Sequence, residues 1–171
     1  MKKYINIILV ITQISCSSYN FNVDTVTADQ LFKNIRKNNS SEYILINVWS
    51  TWCLPCVEEF PYIVNLEKQY DAKDLDVVFL STDWDENALE VKQFLKEQNV
   101  IGQHYRKKEG DDENFINSIS QSWSGVLPFT GIYDKNLNLK AYWEGKRDEI
   151  FFKFKIDSCL LYTSPRPRDT A

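Results

Sequence analysis

Cys53 and Cys56 stand two residues apart in the segment Trp52-Cys53-Leu54-Pro55-Cys56. Two thiols at this spacing can close a small structural ring, supply half of a zinc site, or exchange disulfides with another molecule. Zinc needs two more ligands, and the chain offers only His104, Cys16 and Cys159 as candidates. A structural bridge over so short a loop restrains the unfolded chain little. Redox exchange makes use of the neighbours too: Pro55 restricts the intervening turn, and Trp52 can shield one side of the sulfur pair.

The elements around the pair favour a reactive thiol. Upstream lies Tyr43-Ile44-Leu45-Ile46-Asn47-Val48-Trp49, a short run of β-branched and aromatic residues that predicts a buried strand. Downstream the period changes, and Phe60, Ile63, Val64 and Leu66 mark one face of a helix. Cys53 therefore falls at or near a helix N-terminus, where unpaired N–H groups and the helix dipole favour a thiolate. The expectation is an exposed, low-pKa Cys53 as nucleophile and a more buried Cys56 as resolving thiol. Resolution needs a base for Cys56. Glu59 is the candidate, one turn beyond Cys56 on the same face, with a surface carboxylate as its rival reading. Glu58 points elsewhere and reads as surface. Pro61 removes a backbone N–H inside the helix and predicts a kink.

The rest of the chain reads as a frame for this junction. Thr27 and Gln30 form a capping-box pattern opening a helix to about Lys37. A second strand is expected at Asp76 to Ser81, and a helix at Glu86 to Gln98 with Leu89, Val91, Phe94 and Leu95 as its apolar stripe. An extended piece at Gln103 to Tyr105 and a helix at 112–120 follow. Phe129 to Tyr133 and Leu137 to Trp143 are expected as strands, before a closing helix near Arg147. Strands alternating with helices, then a terminal hairpin, predict an α/β sandwich with a mixed sheet.

Composition narrows the partners. The 171 residues, 43% hydrophobic and 14% aromatic, suffice for one domain with a substantial core. The net charge is −4, and setting aside the four basic and one acidic residue of the two ends leaves −7 for residues 17–158. So acidic a body, with no basic stripe, argues against nucleic acid.

The two ends read differently from this body. Lys2 and Lys3 precede an apolar run, Tyr4 to Ile14, that is too short to span a bilayer. With Ser15-Cys16-Ser17-Ser18 it resembles a bacterial lipoprotein signal, in which Cys16 is lipidated and becomes the new N-terminus. Gln13 departs from that pattern, and ordinary signal-peptide cleavage is the rival. Residues 1–18 are thus expected to be a signal and 19–158 the domain. Residues 159–171 change composition abruptly, with Pro165 and Pro167, and resemble a translated sequencing-library adaptor. They are expected to be a non-native tail following a truncated last helix.

The segment Asn47-Val-Trp-Ser-Thr-Trp-Cys-Leu-Pro-Cys-Val-Glu-Glu-Phe-Pro61 resembles the active site of thioredoxin-fold proteins. Within that fold it most resembles the TlpA/ResA-like thiol–disulfide oxidoreductases, exported and membrane-tethered in bacteria. Glu59, Pro61, the N-terminal signal and the long stretch between Cys56 and Pro128 carry this resemblance. It implies a three-layer thioredoxin-like sandwich, its central mixed β-sheet flanked by helices, with a central insertion. It also implies a cis peptide at Leu127-Pro128, beside the cysteine pair. Trp52, Pro55, Leu127 and Pro128 then border a substrate groove. Thioredoxins keep a buried aspartate at the place of Asn47; an asparagine cannot act as base there, which leaves Glu59. Phe129 stands where a threonine is frequent.

The resemblance implies protein thiols and disulfides as substrates, apocytochrome c among them, and a membrane dithiol as electron donor. No cofactor beyond the cysteine pair is expected, and a lipid anchor through Cys16 is the membrane link. A same-fold oxidase or isomerase, and a binding module with a structural disulfide, stay open. His104 reads as a surface strand histidine; Trp84 and Trp123 could line a binding face, with core or half-buried packing as the default expectation. A copper carrier would want a wider cysteine spacing and a partner histidine.

Overall fold

The computed structural model describes residues 21–163. Six strands form one sheet: β1 (Asp24–Val26), β2 (Tyr43–Trp49), β3 (Leu75–Ser81), β4 (Gln103–Lys107), β5 (Phe129–Asp134) and β6 (Leu139–Glu144). Five helices accompany them: α1 (Ala28–Asn38), α2 (Leu54–Gln69), α3 (Ala88–Glu97), α4 (Asp112–Ile119) and α5 (Glu149–Thr163). The spatial order is β1-β4-β3-β2-β5-β6. The pairs β1–β4, β4–β3 and β3–β2 are parallel, while β2–β5 and β5–β6 are antiparallel. The mixed α/β sandwich expected from the sequence is the fold observed.

Strand β2 is central and buried along its whole length, as its unbroken apolar composition requires. Successive side chains alternate between the faces. Tyr43, Leu45 and Trp49 join a core with α2, α3 and α5; Ile44, Ile46 and Val48 join a second core with α1 and α4. An aromatic knot fastens α2 and α3 to the first face. Phe60 lies 4.7 Å from Trp49, 4.7 Å from Phe79 and 4.9 Å from Phe94, between ring centroids. Phe152 and Ile156 of α5 complete that core.

Local chemistry sets the helix ends. Thr27 caps α1 with the full capping box to Gln30. Asp111 caps α4 by accepting from the Asn114 N–H at 3.0 Å. Pro61 lies inside α2, and the helix runs on to Gln69. Helix α5 continues through Ser158; Cys159 and Leu160 pack against the first core, and the Tyr43 hydroxyl donates to the Cys159 carbonyl at 2.9 Å.

Two local expectations are corrected. Leu89 is not part of the α3 stripe but 68% exposed, because a 3-10 turn at Asp85–Asn87 precedes the helix and puts Leu89 in its first turn. Strand β6 begins at Leu139 rather than Leu137. Leu137 instead has φ 65° in a turn organised by Asp134, whose Oδ1 accepts from the Asn136 and Asn138 N–H groups. Strand β1 was not anticipated. Among the described residues, no helix is long and apolar enough to cross a membrane.

Candidate active site

Cys53 is the N-cap of α2, and Pro55 sits in the first turn, where its missing N–H costs the helix nothing. The Cys53 Sγ accepts from the Cys56 N–H at 3.3 Å, and its carbonyl accepts from Val57 N at 3.1 Å. Cys53 and Cys56 are joined in a disulfide, with Cα atoms 5.2 Å apart. Cys53 is 6% exposed and Cys56 1%. The expected order of burial holds, but the freely exposed Cys53 does not. Its side chain turns back to cap the helix, and Trp52 and Leu54 on either side hold the surface instead.

The approach to the pair is pinned from the next strand. Asp83, just after β3 and almost fully buried, accepts from Thr51 N at 3.0 Å, Thr51 Oγ1 at 2.5 Å and Ser81 Oγ at 2.7 Å. Arg106 of β4 donates through Nη1 to the Asp83 carbonyl at 3.3 Å and pairs with Asp85. Thr82 N bonds to the Trp49 carbonyl at 2.8 Å. These bonds tie the loops after β2 and β3 together. Sequence reasoning missed Asp83, whose one visible signal was a carboxylate directly following a buried strand.

Glu59 lies on the inner face of α2, 1% exposed, so the surface reading of this residue is excluded. Asn47 Nδ2 donates to its Oε1 at 3.2 Å, and Arg147 N donates to its Oε2 at 2.9 Å. Burial pushes the Glu59 pKa up to about 7. The Arg147 backbone bond, the Asn47 bond and the nearby Arg147 and Lys146 charges offset only part of that effect. Asn47 also donates to Thr130 Oγ1 at 3.0 Å, which ties β2, α2 and β5 together beneath the disulfide. A carboxyl that titrates near neutrality, one turn from a thiol, can give or take a proton.

The Leu127-Pro128 peptide is cis, as the resemblance implied. Val48 pairs with Phe129, so Pro128 sits one step beyond, at the sheet end where Ser50 to Cys53 leave β2. Its carbonyl accepts from Gly145 N at 2.8 Å, while Leu127 and Trp52 line one cleft. His104 is occupied structurally: its ring stacks on Phe21 at 4.3 Å, with Nδ1 2.8 Å from the Gly102 carbonyl and Nε2 3.0 Å from that of Asn22. Trp123 is buried as expected; Trp84, at 57% exposure, is not. Cys16 lies outside the described residues.

A model of one protein family, Redoxin, matches residues 20–124, a span holding β1 to α4 and both cysteines. The chain belongs to the Redoxin family. Among curated relatives of this Redoxin chain, the thiol-disulfide oxidoreductase ResA of Bacillus cereus is 34% identical over 64 residues, 37% of this chain and 36% of the relative. The ResA of Geobacillus thermodenitrificans is 26% identical over 115 residues, 67% of this chain and 62% of the relative. The first of these matches thus spans about a third of the relative's length. A thioredoxin-related protein of Neisseria meningitidis serogroup B superposes with a TM-score of 0.60 at 24% identity, over 71% of this chain and 87% of that one. The Redoxin chain has the thioredoxin-like fold.

Proposed function

We propose that this protein is an extracytoplasmic thiol–disulfide oxidoreductase acting mainly as a reductase of protein disulfides. The observation that carries the reading is the Cys53–Cys56 pair capping α2 beside the cis Leu127-Pro128 peptide. The reduced enzyme starts the cycle. The Cys53 thiolate attacks a substrate disulfide; the substrate S–S bond breaks, a Cys53–substrate bond forms, and the leaving sulfur departs as a thiolate that takes up a proton. Cys56 loses its proton to Glu59 and attacks Cys53. The second substrate sulfur leaves, and Cys53–Cys56 becomes a disulfide. Two electrons pass from the two cysteine sulfurs to the substrate disulfide.

The α2 N-terminus supports the first step, since the Cys56 N–H donates to the Cys53 sulfur and the helix dipole stabilises negative charge there. Buried Glu59, with its pKa near neutrality, supports the second. The thiol-disulfide oxidoreductase activity of the ResA relatives supports the reaction class. A dithiol carrier in the membrane would restore the reduced state, and lipidation at Cys16 would hold the domain beside it. Apocytochrome c is a substrate consistent with the resemblance.

Equilibrating the purified domain with dithiothreitol or glutathione tests the proposal. A strongly reducing Cys53/Cys56 potential fits the reductase. A mildly oxidising one moves the reading to an oxidase or isomerase, and absence of exchange moves it to a binding module.

A further inference from the structure

Two tryptophans stand in solvent beside the disulfide. Trp52 is 59% and Trp84 57% exposed, and their rings stack with centroids 6.4 Å apart and planes 22° apart. They wall a cleft of about 360 Å³ whose apolar lining includes Phe115, Trp123 and Leu127. That volume is at the small end for ligand sites and fits one or two side chains of a polypeptide. The residue before Cys53 and the residue before the cis proline both line the cleft, so it adjoins the two chain segments that carry the exchange site.

Trp84 is held in place. Its neighbour Asp83 is buried under bonds from Thr51 and Ser81, and its carbonyl accepts from Asn87 N at 3.0 Å. On the other side Asp85 pairs with Arg106, and its backbone N–H donates to Glu109 Oε1 at 2.8 Å. Aromatic side chains fixed on a rigid frame lose little entropy on contact, the property of strong anchoring positions.

The charge of the cleft selects further. Its lining holds three acids, Asp83, Glu109 and Asp112, against one base, Lys107. Lys107 pairs with Asp112 and sits 5.4 Å from the centre of the Phe115 ring, while Asp83 is turned to Thr51 and Ser81. Glu109 is exposed at the rim, its Oε1 accepting from the Asp85 N–H, and it forms no ion pair among the described residues. A lysine or arginine from outside complements it and can also stack on a tryptophan.

We propose that the Trp52–Trp84 cleft is a specificity site for extended substrate segments with a large apolar side chain near the reacting cysteine and a basic residue beyond it. This rests on the exchange reading above. It makes Trp84 and Glu109 specificity-determining residues.

Binding of redox-inert peptides to the oxidised protein tests the site apart from the chemistry. Two labelled octapeptides carry serine in place of cysteine; one has phenylalanine two residues away with lysine following, the other alanine and glutamate. Fluorescence anisotropy is expected to show the first binding tighter by about tenfold or more. Trp84→Ala is expected to abolish most of that preference, Trp84→Phe to keep part of it, and Glu109→Gln to lower the lysine component and its salt dependence. Equal affinity for the two peptides, or a preference that survives both Trp84→Ala and Glu109→Gln, overturns the proposal. So does occupation of the cleft by a second copy of the chain, seen as concentration-dependent self-association that peptide does not compete away. Discriminating binding without exchange toward the matching cysteine disulfides overturns the exchange reading alone; exchange without discrimination overturns the cleft alone.

Discussion

Asn47 Nδ2 lies 3.2 Å from Glu59 Oε1, and both side chains are sealed in the core. A neutral amide suits a carboxyl that must change protonation state. It donates through Nδ2 to the carboxylate, and its Oδ1 has no partner among the described residues. A 180° turn of the amide lets Oδ1 accept from the protonated carboxyl and from the Thr130 hydroxyl. An aspartate at the same place would repel the charged form of Glu59. Asn47 and Glu59 are thus matched, and the pair sits one helical turn below Cys56.

This arrangement makes stability depend on pH in a definite direction. Burial raises the Glu59 pKa to about 7 in the folded protein, from 4.5 for an ordinary glutamate. Between those values the folded state holds the extra proton, so this residue lowers stability as pH rises and adds no slope above the folded pKa. Glu59→Gln removes the slope. Relative to the wild type it is expected to gain stability from pH 5 to pH 8, by up to about 3 kcal/mol. Urea unfolding of the oxidised proteins measures this, and a constant difference across that range contradicts the burial of an ionising Glu59.

The same substitution tests the proton transfer. Loss of a positioned general base typically slows a step by about a hundredfold or more. Glu59→Gln is expected to slow resolution of the mixed disulfide by that order while leaving the attack by Cys53 nearly as fast. Stopped-flow measurement of the two phases separates them. An unchanged resolution rate, with unchanged titration of Cys56, removes Glu59 from the mechanism.

Asp83 is predicted to matter through Thr51. Asp83→Ala strips acceptors from Thr51 N, Thr51 Oγ1 and Ser81 Oγ inside a buried loop junction. The expected cost is at least about 2 kcal/mol. A double-mutant cycle with Thr51→Val is expected to give a coupling of about 1 kcal/mol or more. Additive effects would mean that the two loops are not joined through this carboxylate.

Gly102 is predicted to resist substitution. A Cβ there would meet the Val77 carbonyl at 2.7 Å and press on the Glu67 carboxylate, which accepts from the Ile101 and Gly102 N–H groups. Gly102→Ala is therefore expected to cost about 1–3 kcal/mol. Chemical denaturation at neutral pH measures it, and a neutral outcome contradicts the packing of α2 against the start of β4.

Much of this architecture was legible where periodicity and length agreed. The apolar run of β2 and the change to helical spacing after Cys56 put the cysteines at the junction where they are found. Strand β1 was not legible: it has three residues, only Val26 is buried, and its strand character comes from pairing with β4. Asp83 was hidden for a similar reason, since Thr51 and Ser81 meet it only after two strands align. Trp84 misled because a large apolar side chain is ordinarily packed away, whereas here a rigid loop holds it outward. Glu59 was placed on the right face of its helix, but its depth depended on Asn47 and on the Arg147 backbone, far away in sequence.

The most direct test of the central claim is to trap the intermediate. Reduced Cys56→Ser protein is mixed with a peptide disulfide, quenched with acid, and mapped by mass spectrometry. A single adduct on Cys53 is the predicted result. No adduct on Cys53, or equally fast trapping on Cys56 in the Cys53→Ser protein, would contradict the assignment of Cys53 as nucleophile.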